Sequence, residues 1–368
     1  MARILVIDDD LDLLQMMQLM LQRGGHEAIV TGDGADGIAK AQQLHPEVAI
    51  VDLMMPGMNG FQVVHRLREN PATADISILI LSARAQLVDR DAALAAHADA
   101  YMAKPISPAE LLQSIKELLV KHSQATLPPN LVLTLFSLRG GVGTTTIAVN
   151  MALALQQAGR PVCLVDLCAK SGHAAMQMRL KAQVTWAEVL PQVNSLSLEA
   201  IKQILLHHDS GIWVLPSPFL PMPAPSGDAI ARLLGILKPG FGATIVDLGT
   251  LGDGGRAALA SSDLILTILS PEVASLQTSA ATLRTLRALN VPDERIMLVV
   301  NNVAPRFGLS TAAIEKALGR SLCAIVPYDV AQAQALGQGN PLMVSQPESP
   351  LADSVRQLIQ AISPARKC

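Results

Sequence analysis

No apolar run in this sequence is long enough to cross a membrane. The cleanest, Leu264 to Leu269, has the length of a strand, far below the roughly 20 residues a spanning helix needs. Neither sign of charge is in excess. The 28 Lys and Arg set against 31 Asp and Glu leave a formal charge of −3, so no chain-wide attraction to nucleic acid or anionic lipid is expected. Cysteine is scarce. Cys163, Cys168, Cys323 and Cys368 lie far apart without paired metal spacing, which predicts unpaired thiols in a reducing compartment. Met1-Ala2-Arg3-Ile4 runs straight into a strand pattern, so no signal peptide is expected. These absences together predict a cytoplasmic protein.

What the sequence does hold is apolar residues in short runs. Half of its 368 residues are hydrophobic and 16% are charged, enough for two α/β domains with large cores. Up to about residue 122, strand-like and helix-like patterns alternate as in βαβ units. One helix is expected over Val88–Ala96 and one from Pro108 to about Lys121. Ser107, Pro108 and Glu110 form a helix start signal, and Gly24-Gly25 forms a stop. Residues 123–130, with Ser123, Thr126, Pro128 and Pro129, read as a linker. Alternation restarts for 131–368, with seven strand candidates between Val132 and Val326. The expected architecture is two doubly wound parallel sheets.

In such sheets, residues at the carboxyl ends of strands share one crevice. Asp8 and Asp9 follow Ile4-Leu5-Val6-Ile7, and Asp52 closes Val48-Ala49-Ile50-Val51. Ser82 closes Ile78-Leu79-Ile80-Leu81, and Lys104 follows Tyr101-Met102-Ala103. Three carboxylates, a hydroxyl and an ammonium are thus expected around one point. The acids repel one another unless a cation sits among them, and Mg2+ suits so few carboxylates. Asp52 is then a nucleophile toward a phosphoryl donor. Lys104 offsets phosphoryl charge, and Ser82 donates a hydrogen bond. Pro105 after Lys104 suggests a cis peptide that aims the lysine inward.

A second signal is Leu138-Arg139-Gly140-Gly141-Val142-Gly143-Thr144-Thr145-Thr146, between a strand and a helix. Such a glycine-rich turn offers backbone N–H groups and a helix N-terminus to phosphates. The P-loop pattern places a lysine where this sequence has Thr144.

The stretches Ile4 to Asp10, Val51 to Gly60 and Asp99 to Pro105, with Ser82, resemble a two-component receiver domain over residues 1–122. That resemblance implies a flavodoxin-like (βα)5 fold and a histidine kinase or phosphotransfer partner. It implies Mg2+ held by Asp9, Asp52 and the Met54 carbonyl, with Asp8 acting through water. Tyr101 would be a switch reporting phosphorylation of Asp52. The glycine-rich segment resembles the deviant Walker A loop of the MinD/ParA group, a P-loop NTPase-like Rossmannoid fold that dimerises. By that resemblance Arg139 takes the signature-lysine position, Thr145 the magnesium-binding hydroxyl and Asp247 the Walker B acid. Asn301 takes the adenine-contacting position, and Asp166 the first of two acids. Cys168 stands where the second, water-positioning acid is expected. With Thr144 and Cys168 both departing from the pattern, weak ATP binding and little hydrolysis are expected.

A receiver ahead of a MinD-like domain resembles the TadZ/CpaE family of Tad-type (Flp) pilus assembly, which implies pilus or secretion machinery as a partner. Attachment at a membrane or cell pole is left open. An active ATPase, a DNA-binding response regulator and a pure scaffold stand as alternatives. The spacing of Leu351, Val355, Leu358, Ile359 and Ile362 predicts a helix packed on the domain, since it lacks a basic face and large aromatics. His207-His208 is expected at the surface or a helix end. Lys170, a candidate substitute cation, is expected to be solvated.

Overall fold

A computed structural model describes residues 2–82, 97–125, 127–169, 172–305 and 308–362, with backbone alone for 120–125. The helix expected over Val88–Ala96, Lys170 and the tail with Cys368 lie outside the described residues. The chain divides into two compact units, Met1–Thr126 and Leu127–Cys368.

In the first unit, alternate side chains of each strand point to opposite faces, and both faces are buried. The strands are β1 (Arg3–Ile7), β2 (Glu27–Thr31), β3 (Val48–Asp52), β4 (Ser77–Ser82) and β5 (Ala100–Ala103). They pair in parallel in the order β2-β1-β3-β4-β5. Leu5, Ile7, Ala49, Val51, Ile78 and Ile80 pack against Val63, Val64 and Leu67 of the helix Gly60–Glu69. Ile4, Val6, Val48, Ile50, Leu79 and Leu81 pack against Leu14, Met17 and Leu21 of Leu11–Arg23. Leu111, Ile115 and Leu118 of Pro108–Ala125 complete that layer. The long runs without polar alternation are therefore central parallel strands. The terminal helix begins as expected, with Glu110 N–H donating to Ser107 Oγ at 3.2 Å. It extends to Ala125, beyond Lys121.

The second unit holds an eight-stranded sheet. Its strands are β6 (Leu131–Phe136), β7 (Val162–Asp166), β8 (Leu206–His207), β9 (Trp213–Leu215), β10 (Ala243–Leu248), β11 (Leu264–Leu269), β12 (Ile296–Asn301) and β13 (Ala324–Val326). The order is β13-β12-β11-β6-β10-β7-β9-β8, parallel except for the β8–β9 pair. The two-residue β8 is the strand missing from the sequence reading. His207 on it is exposed and meets Trp213 edge to face.

The helix Thr144–Gln157 is buried on every side from Thr146 to Leu155, as a helix apolar all round must be. The C-terminal helix Pro350–Ala361 joins the same core, with Leu351, Val355, Leu358, Ile359 and Ile362 all buried. Leu127 belongs there too, at 2% exposure. The Arg160 guanidinium donates to the Leu127, Pro128 and Gly242 carbonyls at 2.8–3.0 Å. The edge of this unit thus falls at Leu127, inside the stretch read as a linker, because its apolar side chain and backbone acceptors are both used.

Candidate functional site

The first site forms where β1, β3, β4 and β5 end. Lys104 Nζ lies 2.7 Å from Asp8 Oδ2 and 2.7 Å from Asp52 Oδ1. Asp8, Asp9 and Asp52 place carboxylate oxygens within 4.8 Å of one another. Asp8 and Asp52 are buried while Asp9 is exposed. The free oxygens are oriented locally: Met54 N–H donates to Asp52 Oδ2 at 2.8 Å, and Asp10 N–H donates to Asp8 Oδ1 at 3.0 Å. Ser82 is fully buried at the end of β4, and its carbonyl accepts Lys104 N–H at 2.7 Å. The Lys104–Pro105 peptide is cis. Tyr101 lies half-buried on β5 against the apolar layer.

Burial pushes the Asp8 carboxyl above the ordinary range, and Asp52 adds repulsion, although Lys104 and the Asp10 amide pull it down. Burial alone would lower Lys104. Its hydrogen bonds to Asp52 and Asp8 more than reverse this and hold it above the usual lysine range. The acids therefore outnumber their counter-charge, and three converging carboxylates with room on the exposed Asp9 side fit Mg2+. Asp8, Asp9 and Asp52 are the side chains that would hold it.

The second site lies at the carboxyl ends of β6, β7, β10 and β12. Gly141 and Gly143 take positive φ of 79° and 88°, which favours glycine. A Cβ on Gly143 would also strike Asn301 Nδ2. Asn301 Nδ2 donates to the Val142 carbonyl at 2.8 Å, so this amide, 6% exposed, holds the loop in shape. The resemblance implies an adenine contact there; the position found is beneath the loop. Replacing Asn301 with Ala leaves the buried Val142 carbonyl without its partner, and a loss of about 1–3 kcal/mol is expected, measurable by urea denaturation.

Thr145 Oγ1 donates to Asp247 Oδ2 at 2.5 Å. Asp247 on β10 stands in register with Asp166 on β7. Both are buried. Burial raises the Asp166 carboxyl, although the Cys168 and Ala174 amides donate to it at 3.0 and 3.1 Å. Burial, reinforced by repulsion from Asp166, pushes Asp247 up to about 8, with the Thr145 hydroxyl pulling it down. Two acids crowded beneath a threonine hydroxyl suit a divalent cation, and the open backbone of Gly140 and Gly141, where a Cβ would meet nothing within 4 Å, suits a phosphate. Thr144 brings no cation to that loop. Arg139 brings one, and its Nη2 pairs with Glu272 at 2.5 Å. Glu272 was not foreseen from sequence. Its only signal is its place just after β11, one residue before the helix Val273–Ala288.

Two open α/β sheets, each with its polar groups gathered at the carboxyl ends of its strands, define a two-module protein: an acidic pocket, then a phosphate loop. The chain belongs to the CobQ/CobB/MinD/ParA nucleotide-binding family, whose model matches residues 133–342, and carries a response regulator receiver domain, matched over residues 4–116.

Over 119 residues it is 39% identical to the DNA-binding dual master transcriptional regulator RpaA of Synechocystis sp., covering 32% of this chain and 49% of that protein. It is 34% identical over 119 residues to Protein PilH of Pseudomonas aeruginosa, covering 32% of this chain and 98% of that protein. The chain spans about half the length of most of these curated relatives. The ParA family ATPase from Chlorobium tepidum is 23% identical, with 62% of this chain and 98% of that one covered and a TM-score of 0.58. The septum site-determining protein MinD complexed with Mg-ADP, from Pyrococcus horikoshii, is 18% identical, with 64% and 96% covered and a TM-score of 0.55. At these identities the likeness to both structures is one of fold.

Proposed function

We propose that this protein is a response regulator in which phosphorylation of Asp52 governs dimerisation of a degenerate MinD-like domain, and that the dimer positions a Tad/Flp-type pilus or secretion assembly. The observation that carries the reading is Lys104 bridging Asp8 and Asp52 at 2.7 Å each, beside Asp9. An Asp52 oxygen attacks the phosphorus of a phosphohistidine on a kinase or phosphotransfer protein. An O–P bond forms as the N–P bond breaks, and the imidazole leaves. Lys104 then offsets charge on the new phosphoryl oxygens, and the Ser82 hydroxyl donates to one of them. Mg2+ bound by Asp8, Asp9 and Asp52 would neutralise charge on the transferring group. Tyr101, half-buried on β5 three residues before Lys104, would register the change.

Support for the assembly role is the order of the two modules, a receiver ahead of a MinD-like domain, which resembles that of TadZ/CpaE proteins. Attachment at a membrane or cell pole would come through that partner; among the described residues no helix is long and apolar enough to cross a membrane. Beryllofluoride with Mg2+ is expected to shift the dimer fraction in sedimentation, and an unchanged fraction removes the coupling.

The Asp166–Asp247 pair beneath Thr145 favours one second reading, an active ATPase. Against it stand Thr144 and Cys168, which bring neither the cis cation nor the water-positioning acid. Hydrolysis by the purified protein is expected to lie on the order of 10³-fold below that of an intact enzyme of this type. Turnover at ordinary rates in a phosphate-release assay would install the second reading instead.

A further inference from the structure

The segment from Pro216 to Gly227 joins β9 to the helix Gly227–Leu237. It holds five prolines, at 216, 218, 221, 223 and 225. Each proline fixes one backbone torsion, so the segment is stiff before it touches anything. Its start is tied down: Pro216, Ser217 and Pro218 are buried, and Trp186 N–H donates to the Pro216 carbonyl at 3.0 Å.

From there it grips the loops that follow both acid-bearing strands. After β7, Met222 N–H donates to the Ala169 carbonyl at 2.9 Å. Ser217 Oγ fills the place that a Cβ on Gly172 would take, beside Asp166 Oδ2. After β10, Gly254 N–H donates to the Pro225 carbonyl at 3.0 Å, and Gly227 N–H donates to Asp253 Oδ2 at 2.5 Å. A Cβ on Gly254 would come within 2.7 Å of that same Pro225 carbonyl, so the two stretches of backbone lie in contact. The loops also meet each other, since a Cβ on Gly249 would lie 2.8 Å from Cys168 Sγ. One stiff segment therefore spans the loop beyond Asp166 and the loop beyond Asp247.

These are the loops that a terminal phosphate would have to move. The backbone N–H groups of a glycine-rich turn cradle the first two phosphates of a nucleotide, and a lysine reaches on toward the third. Proteins that respond to the third phosphate close loops onto it. Here Thr144 brings no cation, and both loops are already held by the proline-rich segment. A third phosphate finds little to gain.

We propose that Pro216–Gly227 is a brace that keeps both acid loops in one conformation, so that the phosphate loop accepts nucleoside diphosphates and triphosphates alike. The inference rests on the reading of Arg139–Thr146 as a nucleotide site and adds that the state of the nucleotide is not the signal. Phosphorylation of Asp52 is left to supply it.

Two measurements on the full chain test this. In hydrogen exchange without nucleotide, the Met222, Gly227 and Gly254 amides should be protected as sheet amides are, because each is bonded within a stiff unit. Fluorescence titration with labelled ADP and a labelled non-hydrolysable ATP analogue, each with Mg2+, should give affinities within about threefold of one another. Met222→Pro with Gly254→Ala removes one bond and wedges the segment off the other loop. In that variant protection at Gly227 should fall, and the ratio of the two affinities should move by at least about fivefold. Fast exchange at these amides in the parent overturns the brace, as does a variant that loses protection and keeps the parent's ratio. A parent preference for the triphosphate of about tenfold or more removes this proposal alone and leaves the nucleotide site standing. Binding of neither nucleotide removes the site and this proposal with it.

Discussion

Replacing Asp52 with Asn is expected to abolish phosphoryl uptake from acetyl phosphate, with no residual labelling at the site. Among the described residues, Asp52 is the carboxylate that is buried, bonded to Lys104 and ordered by the Met54 amide. Asp8 shares the lysine and has its second oxygen held by the Asp10 amide in the same way; the resemblance to receiver domains is what assigns the acceptor role to Asp52. The variant should fold at least as well as the parent, because one of three mutually repelling acids is removed. Lys104→Ala makes the contrast. It strips the counter-charge from two buried carboxylates, and removing one partner of a buried pair costs up to about 3–5 kcal/mol. That loss should appear in denaturation without Mg2+ and shrink when Mg2+ is added. The lysine variant should still accept phosphoryl groups slowly yet fail to shift the dimer. Equal labelling of the Asp52→Asn protein and the parent would place the acceptor elsewhere.

Asp247→Asn is expected to stabilise the second unit, and more so as pH rises. The Asp247 carboxyl is raised from the ordinary 3.8 to about 8 by burial and by Asp166. Between those values the folded form holds a proton that the unfolded chain has released. Stability therefore falls as pH climbs through that window and levels off above it. Asparagine keeps the size and an acceptor for the Thr145 hydroxyl, and it does not titrate. The gap between variant and parent should open from about pH 4 and be fullest above pH 8, with Tm moving about 2–4 °C per kcal/mol for a unit of this size. The proton belongs to the Asp166–Asp247 pair as much as to either member, so Asp166→Asn should show a related trend, tempered by the amides that favour its ionised form. Parallel melting curves for parent and variant across this range would show that neither acid takes up a proton on folding.

The first site was legible in the sequence because each of its residues ends an apolar run, and parallel strands bring such ends together whatever lies between. Asp52 and Lys104 are separated by two strands' worth of chain, yet adjacent pairing of β3, β4 and β5 makes their meeting a matter of topology. Asp166 and Asp247 came instead from the resemblance to the MinD/ParA group, and they too lie at strand ends. Glu272 escaped because a single glutamate in a loop has no periodic signal; its meaning comes from Arg139, 133 residues earlier. Asn301 was placed at the correct strand end, but which way its amide turns depends on the Val142 carbonyl, and no pattern of residue types encodes that. β8 was missed because two residues carry no alternation. The second unit's edge was misplaced because prolines 128 and 129 signal a break louder than one leucine signals a core.

That edge has a practical corollary. A fragment begun at residue 131 would retain every strand of the larger sheet and still lack Leu127 as an apolar plug. It would also deprive the Arg160 guanidinium of the Leu127 and Pro128 carbonyls. Anyone excising the larger module, or exchanging the smaller one for another sensor, should therefore cut ahead of Leu127; a later incision will yield an insoluble or poorly behaved product even though no secondary structure has been removed.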